Sequence, residues 1–488
     1  MGFLCVLCVS ARNVLFVLPC QQMKPLVGLL TACLLVHAAD WPRFRGPNGF
    51  GVGEEAALPS EFGPTKNVIW KTTLPPGHSS PILSGNRIFL TAFEGQKLFT
   101  IGLDRATGKI LWRTESPRTY FDPVDKRNSP ASPSPVSDGE NIYVFFPDFG
   151  LLSYDFAGKE RWRVPLGPFH NVYGMGASPI VVEGKVILAC DQSQGSFIAA
   201  YGKDDGKLRW KTPRAEALSG HSTPALYQPK QGPAQLIVPG SFRMDAYSIE
   251  TGESVWWVYG LASEMKSLPV IAGDTVYING YSSPENDPGR QVFIPLFEDV
   301  LAARDTDKDG QISKAEADER TKQMFLFIDL DGDGKVNAAE WKMYRAMMAT
   351  ENGLLAIRAG GHGDVTQTSL IWKYQRSIPQ LPSLLLYDNV LYMINDSGVL
   401  TTLDPATGAV LKQGRLRGVA EHFYSSPVAA DGKIYFVSEA GVVTVLKAGG
   451  AQEVLAVNEL DDLCSATPAI ADGRIYIRTR SALYAFGK

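Results

Sequence analysis

"SSPILSGNRIFL" (residues 79–90) sets a small residue and a proline ahead of a short apolar strand, a glycine turn and a second apolar strand. The same order returns at "PSPVSDGENIYVF" (133–145), "ASPIVVEGKVIL" (177–188), "STPALYQ" (222–228), "SLPVIAGDTVYI" (267–278), "LPSLLLYDNVLYMI" (381–394), "SSPVAADGKIYFV" (425–437) and "ATPAIADGRIYI" (466–477). The anchoring prolines are 81, 135, 179, 224, 269, 382, 427 and 468, most of them 41 to 54 residues apart. Recurrence at this period marks one structural unit repeated along the chain. The long interval, from Pro269 to Pro382, holds extra sequence.

A second element closes the repeats: "LDRATGKILW" (103–112), "DFAGKERW" (155–162), "KDDGKLRW" (203–210) and "IETGESVW" (249–256). A glycine precedes a tryptophan by four residues in each, at 108/112, 158/162, 206/210 and 252/256. The glycine suits a hairpin turn, and the tryptophan on the next strand packs one sheet against its neighbour. "LDPATGAVLK" keeps the turn but has Lys412 at the tryptophan position. Each repeat therefore holds about four strands, and radial repetition of four-stranded sheets makes a β-propeller. The fold expected is all-β: an eight-bladed propeller closed by an N-terminal strand, with a small α-helical insertion in blade five. The last repeat ends one strand short, and "NVIWKTTL" (67–74) supplies the missing strand and removes the open edge.

The insertion carries two loops of one kind. In "DTDKDGQISKAE" (305–316), Asp305, Asp307, Asp309, Gln311, Ser313 and Glu316 fall at positions 1, 3, 5, 7, 9 and 12, with Gly310 at position 6. In "DLDGDGKVNAAE" (329–340) the corresponding residues are Asp329, Asp331, Asp333, Lys335, Asn337 and Glu340. Ca²⁺ takes six to eight oxygens, and this alternation curls carboxylates around one point, with position 7 giving a backbone carbonyl and the final glutamate two oxygens. The flanks read as helices: Leu296, Phe297, Val300 and Leu301 share a face before the first loop, and Trp341, Tyr344 and Met348 share one after the second. Residues 295–350 resemble the EF-hand family, which implies two Ca²⁺ sites. The expected divisions are a leader (1–39), an extension (40–66), a first propeller part (67–281), the EF-hand pair (282–352) and a second propeller part (353–488).

Residues 67–488 resemble the PQQ-like propeller repeat proteins, through repeats such as "ATGKILW" and "ETGESVW". That group includes the assembly lipoprotein BamB and the quinoprotein alcohol dehydrogenases. "DWPRFRGPNGFGV" (40–52) resembles the opening of its secreted members. The resemblance implies the fold but not one activity. Two functions follow: a secreted or periplasmic interaction platform for a protein or cell-surface partner, or a PQQ-dependent dehydrogenase with quinone and Ca²⁺ at the propeller centre. The vicinal cysteine pair implied for the enzymes is not found after the leader, nor is a haem-attachment motif. Enzyme activity is therefore an open reading and not the leading one.

A net charge of −4 gives no reason to expect a nucleic-acid partner. The apolar start, with "MKPLVGLLTACLLVHAAD" from Met23, reads as an export signal, with Cys33 as an alternative lipid-attachment site. An exported, periplasmic or extracellular protein is expected, with no membrane span in the mature chain. Cys190 and Cys464 fall in blades that are not neighbours, so no disulfide is expected between them. His78, His221 and His422 lie just ahead of anchors in blades one, four and seven. They are expected near the central funnel, as polar rim residues or, alternatively, as a metal or proton-transfer set. "RAGGHGDVT" (358–366) reads as a turn and not a phosphate loop.

Overall fold

The computed structural model describes residues 40–54, 57–122, 124–416 and 422–488. The leader, with Met23 and Cys33, lies outside the described residues. Eight antiparallel sheets follow one another along the chain. Blade one consists of Ile82–Ser84, Arg87–Glu94, Lys97–Asp104 and Ile110–Ser116, and the later blades repeat this plan. The short first strands of neighbouring blades meet around the axis. They begin directly after Pro81, Pro135, Pro179, Pro224, Pro269, Pro427 and Pro468. Blade six departs from this: its first strand is Leu385–Tyr387, so Leu384 holds the place that proline holds elsewhere, and Pro382 lies two residues too early. Val68–Thr73 pairs with Ala482–Phe486 and completes blade eight.

Two devices join the blades. The first is a ring of side-chain hydroxyls around the axis. The backbone N–H ahead of each first strand donates to a hydroxyl of the next blade: Ser80 to Ser134 (2.9 Å), Ser134 to Ser178 (3.0 Å) and Ser178 to Thr223 (3.0 Å). The ring resumes with Leu268 to Ser383 (2.9 Å), Ser383 to Ser426, Ser426 to Thr467 and Thr467 to Ser80 (each 3.0 Å). Leu268 has no hydroxyl to offer. Between blades four and five, Ser222 Oγ instead donates to the Ser267 carbonyl at 2.7 Å.

The second device is a tryptophan on the outer strand of most blades. Trp112 donates its indole N–H to the Phe156 carbonyl of blade two at 2.9 Å and lies flat against Gly158. Trp70 on Gly108, Trp162 on Gly206, Trp210 on Gly252 and Trp372 on Gly408 repeat this contact. A Cβ at any of these glycines would stand within 2.8 Å of the indole, so the residue must be glycine as well as the turn. Lys412 replaces the indole with an Nζ bond to the Ala451 carbonyl at 2.6 Å. Trp256 has no such glycine to meet: its indole donates to Gln235, and Gly363–Asp364 pairs parallel to Trp256–Trp257 as a fifth strand of that sheet. The segment expected as a plain turn thus covers the edge of blade four.

The axis is plugged from one end by residues 41–53. Trp41 exchanges backbone bonds with Leu83 of blade one, and Gly51 and Gly53 do so with Ala429 of blade seven. Arg43 donates to the Pro224 carbonyl at 2.7 Å and Arg45 to the Leu384 carbonyl at 2.6 Å. Both guanidiniums are buried, which lowers Arg43 to about 10 and Arg45 to about 9. Arg45 Nε and Nη1 have no hydrogen-bond partner.

The helical region leaves the propeller within blade five. Thr275–Gly280 and Gly353–Arg358 are adjacent strands, with Gly280 opposite Gly353. The chain between them therefore departs and returns at one point. It forms α1 (Phe297–Arg304), α2 (Glu319–Ile328) and α3 (Ala338–Ala349). These bury a core that includes Phe297, Val300, Phe325, Trp341, Tyr344 and Met348. Leu296, expected on the buried face, precedes α1 and is 48% exposed, because the helix starts one residue later. Among the described residues, no helix is long and apolar enough to cross a membrane.

Candidate functional site

Two places concentrate chemistry: the pair of acidic loops on the insertion, and a cavity on the propeller axis. In the loops, Ile312–Ser313 and Lys335–Val336 pair as two short strands that hold the turns side by side. Oxygens of Asp305, Asp307 and Asp309 lie within 4.8 Å of one another, as do those of Asp329, Asp331 and Asp333. Asp305 Oδ1 and Asp329 Oδ1 are buried atoms without a hydrogen-bond partner, which a bound cation would satisfy. The donor set is all oxygen, as a hard cation requires.

The remaining loop residues are placed around these triads. Glu316 accepts from the Ser313 and Thr306 backbone N–H groups at 2.9 and 2.8 Å, and these bonds, that of Ser313 first, hold its carboxyl down to about 2. Glu340 accepts from Leu330 and Asn337, but burial raises its pKa. Asn337 caps α3 through the Ala339 and Glu340 N–H groups, and Ser313 Oγ bonds to Glu316. Neither glutamate falls within the triads. The Gln311 and Lys335 N–H groups donate to Asp309 and Asp333, and the Lys335 ammonium reaches across to Asp309.

The axial cavity measures about 200 Å³. Phe44 of the plug is part of its lining, and the hydroxyl-ring residues Ser80, Ser134, Ser178, Thr223 and Thr467 contribute as well. Further lining comes from Tyr173, His221, Lys266, Arg127, Asn128 and Tyr424. The charges are internally matched. Arg127 Nε lies 2.6 Å from Asp125, and this bond lowers the Asp125 pKa. Lys266, with a side chain 5% exposed, is paired with Glu264 and sits 5.1 Å from the Tyr173 ring centre. Tyr173 Oη donates to Glu264 at 3.2 Å, and burial followed by that carboxylate raises its pKa.

His78 and His221 both line the cavity, whereas His422 does not. His422 stacks on Tyr424 with ring centres 6.0 Å apart. The three histidines are therefore not gathered at one point; among the described residues, groups able to hold a metal are the two acidic triads. Burial lowers His221 to about 3, aided by Lys266, and lowers His78 to about 4, aided by Arg478 and Arg480. Both are neutral near pH 7. His221 Nε2 is buried and has no partner. Cys190 and Cys464 are free and buried.

One contact between these two places was invisible in the sequence. The ring of Phe327, on α2, packs against Tyr173 with centres 5.9 Å apart and planes at 51°.

The family model of the outer membrane protein assembly factor BamB matches residues 62–195, 99–284 and 198–488. The chain belongs to this family. The fold also matches solved structures. BamB from Moraxella catarrhalis is 13% identical, with a TM-score of 0.53 over 86% of this chain and 98% of that one. The quinohemoprotein alcohol dehydrogenase ADHIIG from Pseudomonas putida HK5 is 13% identical, with a TM-score of 0.54 over 92% and 80%. The quinohemoprotein alcohol dehydrogenase from Comamonas testosteroni is 12% identical, with a TM-score of 0.51 over 92% and 81%. At these identities the likeness is one of fold. A comparison with curated protein sequences gave no match. The BamB-family propeller thus carries its acidic loops on an insertion, outside the axial cavity.

Proposed function

We propose that the chain is an exported, calcium-binding propeller that serves as an interaction platform for a protein or cell-surface partner. The observation that carries this reading is the pair of acidic triads, each with a buried carboxylate oxygen that lacks a partner. Two Ca²⁺ ions, held by the EF-hand loops, would fix the three helices as a rigid arm. The insertion carries Phe293, 83% exposed, and Leu326, 68% exposed. The family's name, an assembly factor of the outer membrane, favours an envelope setting.

A second reading, a PQQ-dependent dehydrogenase, draws on the axial cavity and on the names of the dehydrogenases that share the fold. The residues present fit it poorly. Asp125 and Glu264 are already matched by Arg127 and Lys266, and a calcium-bridged quinone needs free carboxylates beside it. Calorimetric titration separates the two readings. Two Ca²⁺ events and no heat from PQQ are expected; saturable PQQ binding that needs a further Ca²⁺ would overturn the platform in favour of the enzyme.

A further inference from the structure

The Phe327–Tyr173 contact joins the calcium loops to the cavity wall, and both partners are well placed to transmit a change. Phe327 is the penultimate residue of α2, and Asp329, first residue of the second loop, is that helix's C-cap. The group that would bind the cation and the ring that touches the propeller are thus two residues apart on one helix end. On the other side, Tyr173 is a hub. Its hydroxyl bonds to Glu264, Lys266 and Arg127 face its ring at 5.1 and 5.5 Å, and His221 lies with ring centre 6.1 Å away. Tyr173 lines the cavity, whereas Phe327 backs Tyr173 without lining it.

We propose that the insertion controls access to the axial cavity, with Phe327 as a buttress for Tyr173 and cation occupancy of the second loop deciding whether the buttress is in place. With Ca²⁺ bound, the charge of Asp329, Asp331 and Asp333 is balanced, the end of α2 is pinned and Phe327 stays seated. Without it, three carboxylates crowded within 4.8 Å repel, and the helix end beside them loosens. Tyr173 then loses its support, and the wall of the cavity next to His221 opens. A cation can shift this balance only through its different affinity for the two arrangements, and the loop at the helix end supplies that difference. The inference rests on the calcium reading above.

The test uses the full-length protein and the chemistry of His221. Its neutral, unpartnered nitrogen is a nucleophile for diethylpyrocarbonate once the reagent can enter. Modification of His221 is followed by peptide mass spectrometry with saturating Ca²⁺ or with excess chelator, and His362, exposed on the segment that edges blade four, serves as the internal standard. Ca²⁺ is expected to slow modification of His221 about five-fold or more, the lower bound of ordinary coupling between two sites, and to leave His362 unchanged. Phe327→Ala should modify fast in both conditions. Phe327→Leu, which keeps apolar volume inside the insertion, should do the same. Calorimetry on each variant verifies that its loops still take up Ca²⁺. The proposal is overturned if the wild type binds Ca²⁺ while the His221 rate stays the same, or if variants that bind Ca²⁺ keep full protection. Absence of any Ca²⁺ uptake by the wild type would instead remove the calcium reading itself, and the gate with it.

Discussion

Replacing Gly252 with alanine should cost much more than replacing Gly184, although the two backbones are nearly alike. Gly252 has φ +75° and Gly184 has φ +72°. An L-residue in that region costs about 1–2 kcal/mol at either place. A Cβ at Gly184 meets nothing within 4 Å, so Gly184→Ala should lose only that amount. At Gly252 the added carbon would stand 2.3 Å from Trp210 Cε3 and 2.5 Å from Cδ2, well inside van der Waals contact. Forcing an atom into a packed site adds about 1–3 kcal/mol. Gly252→Ala should therefore lose about 2–5 kcal/mol in total. Guanidinium unfolding followed by far-UV circular dichroism reads both losses. Adding Trp210→Leu to Gly252→Ala makes room for the methyl group, so the two losses should fall short of additive by about 1 kcal/mol or more. Equal losses at Gly184 and Gly252, or simple additivity in the double variant, would refute the view that the indole face locks one blade to the next.

Four further outcomes follow from the geometry. Ser134→Ala leaves the buried Ser80 N–H without its acceptor and should cost about 1–3 kcal/mol in the same unfolding assay, with Ser134→Thr largely restoring it. Glu316→Gln together with Glu340→Gln should abolish any calcium-dependent rise in melting temperature of the helical insertion, with the strand signal unchanged. Deleting residues 283–351 behind a short linker should leave a folded propeller by circular dichroism, because Gly280 and Gly353 are already paired. The His221 pKa is depressed on folding, so the unfolded state binds the extra proton below about pH 6.5. Stability is then lost as pH falls from about 6.5 toward about 3, by up to about 1.4 kcal/mol per pH unit for this group, and His221→Gln should make that part of the urea-midpoint profile shallower, leaving the share of His78, which is lowered to about 4.

The repeat was legible because its causes are local. A proline that starts a strand, a glycine turn and a tryptophan four residues on are each set within ten residues, and together they imply blades and their number. The closing role of Val68–Thr73 was legible too, since a blade one strand short demands a partner. The hydroxyl ring left a signal in the Ser or Thr ahead of most anchor prolines, but its meaning depends on the neighbouring blade, some 45 residues away. The same holds for blade six, where Ser383 keeps the ring position after the proline has moved to Pro382. Arg43 and Arg45 read as ordinary charges in a polar stretch. Their acceptors, the carbonyls of Pro224 and Leu384, lie 181 and 339 residues further on. The two acidic triads each come from one short loop and could be read from spacing, whereas the cavity could not: Tyr173, His221 and Lys266 belong to three separate segments that only the closed ring brings together.

Closure by Val68–Thr73 also has a consequence in time. This strand is among the first parts of the propeller to be synthesised, and its partner Ala482–Phe486 is the last. At about 5–20 residues per second, the two are separated by roughly 20–80 s of synthesis. Throughout that interval the early strand has no mate, and blade one has an uncovered flank where Trp70 will later lie against Gly108. The plug is in the same position, since Gly51 and Gly53 wait for Ala429. A nascent chain therefore holds an unpaired strand edge until Ala482–Phe486 emerges, the condition under which sheet proteins aggregate or recruit a foreign strand. Compaction that waits for Ala482–Phe486 would avoid that hazard.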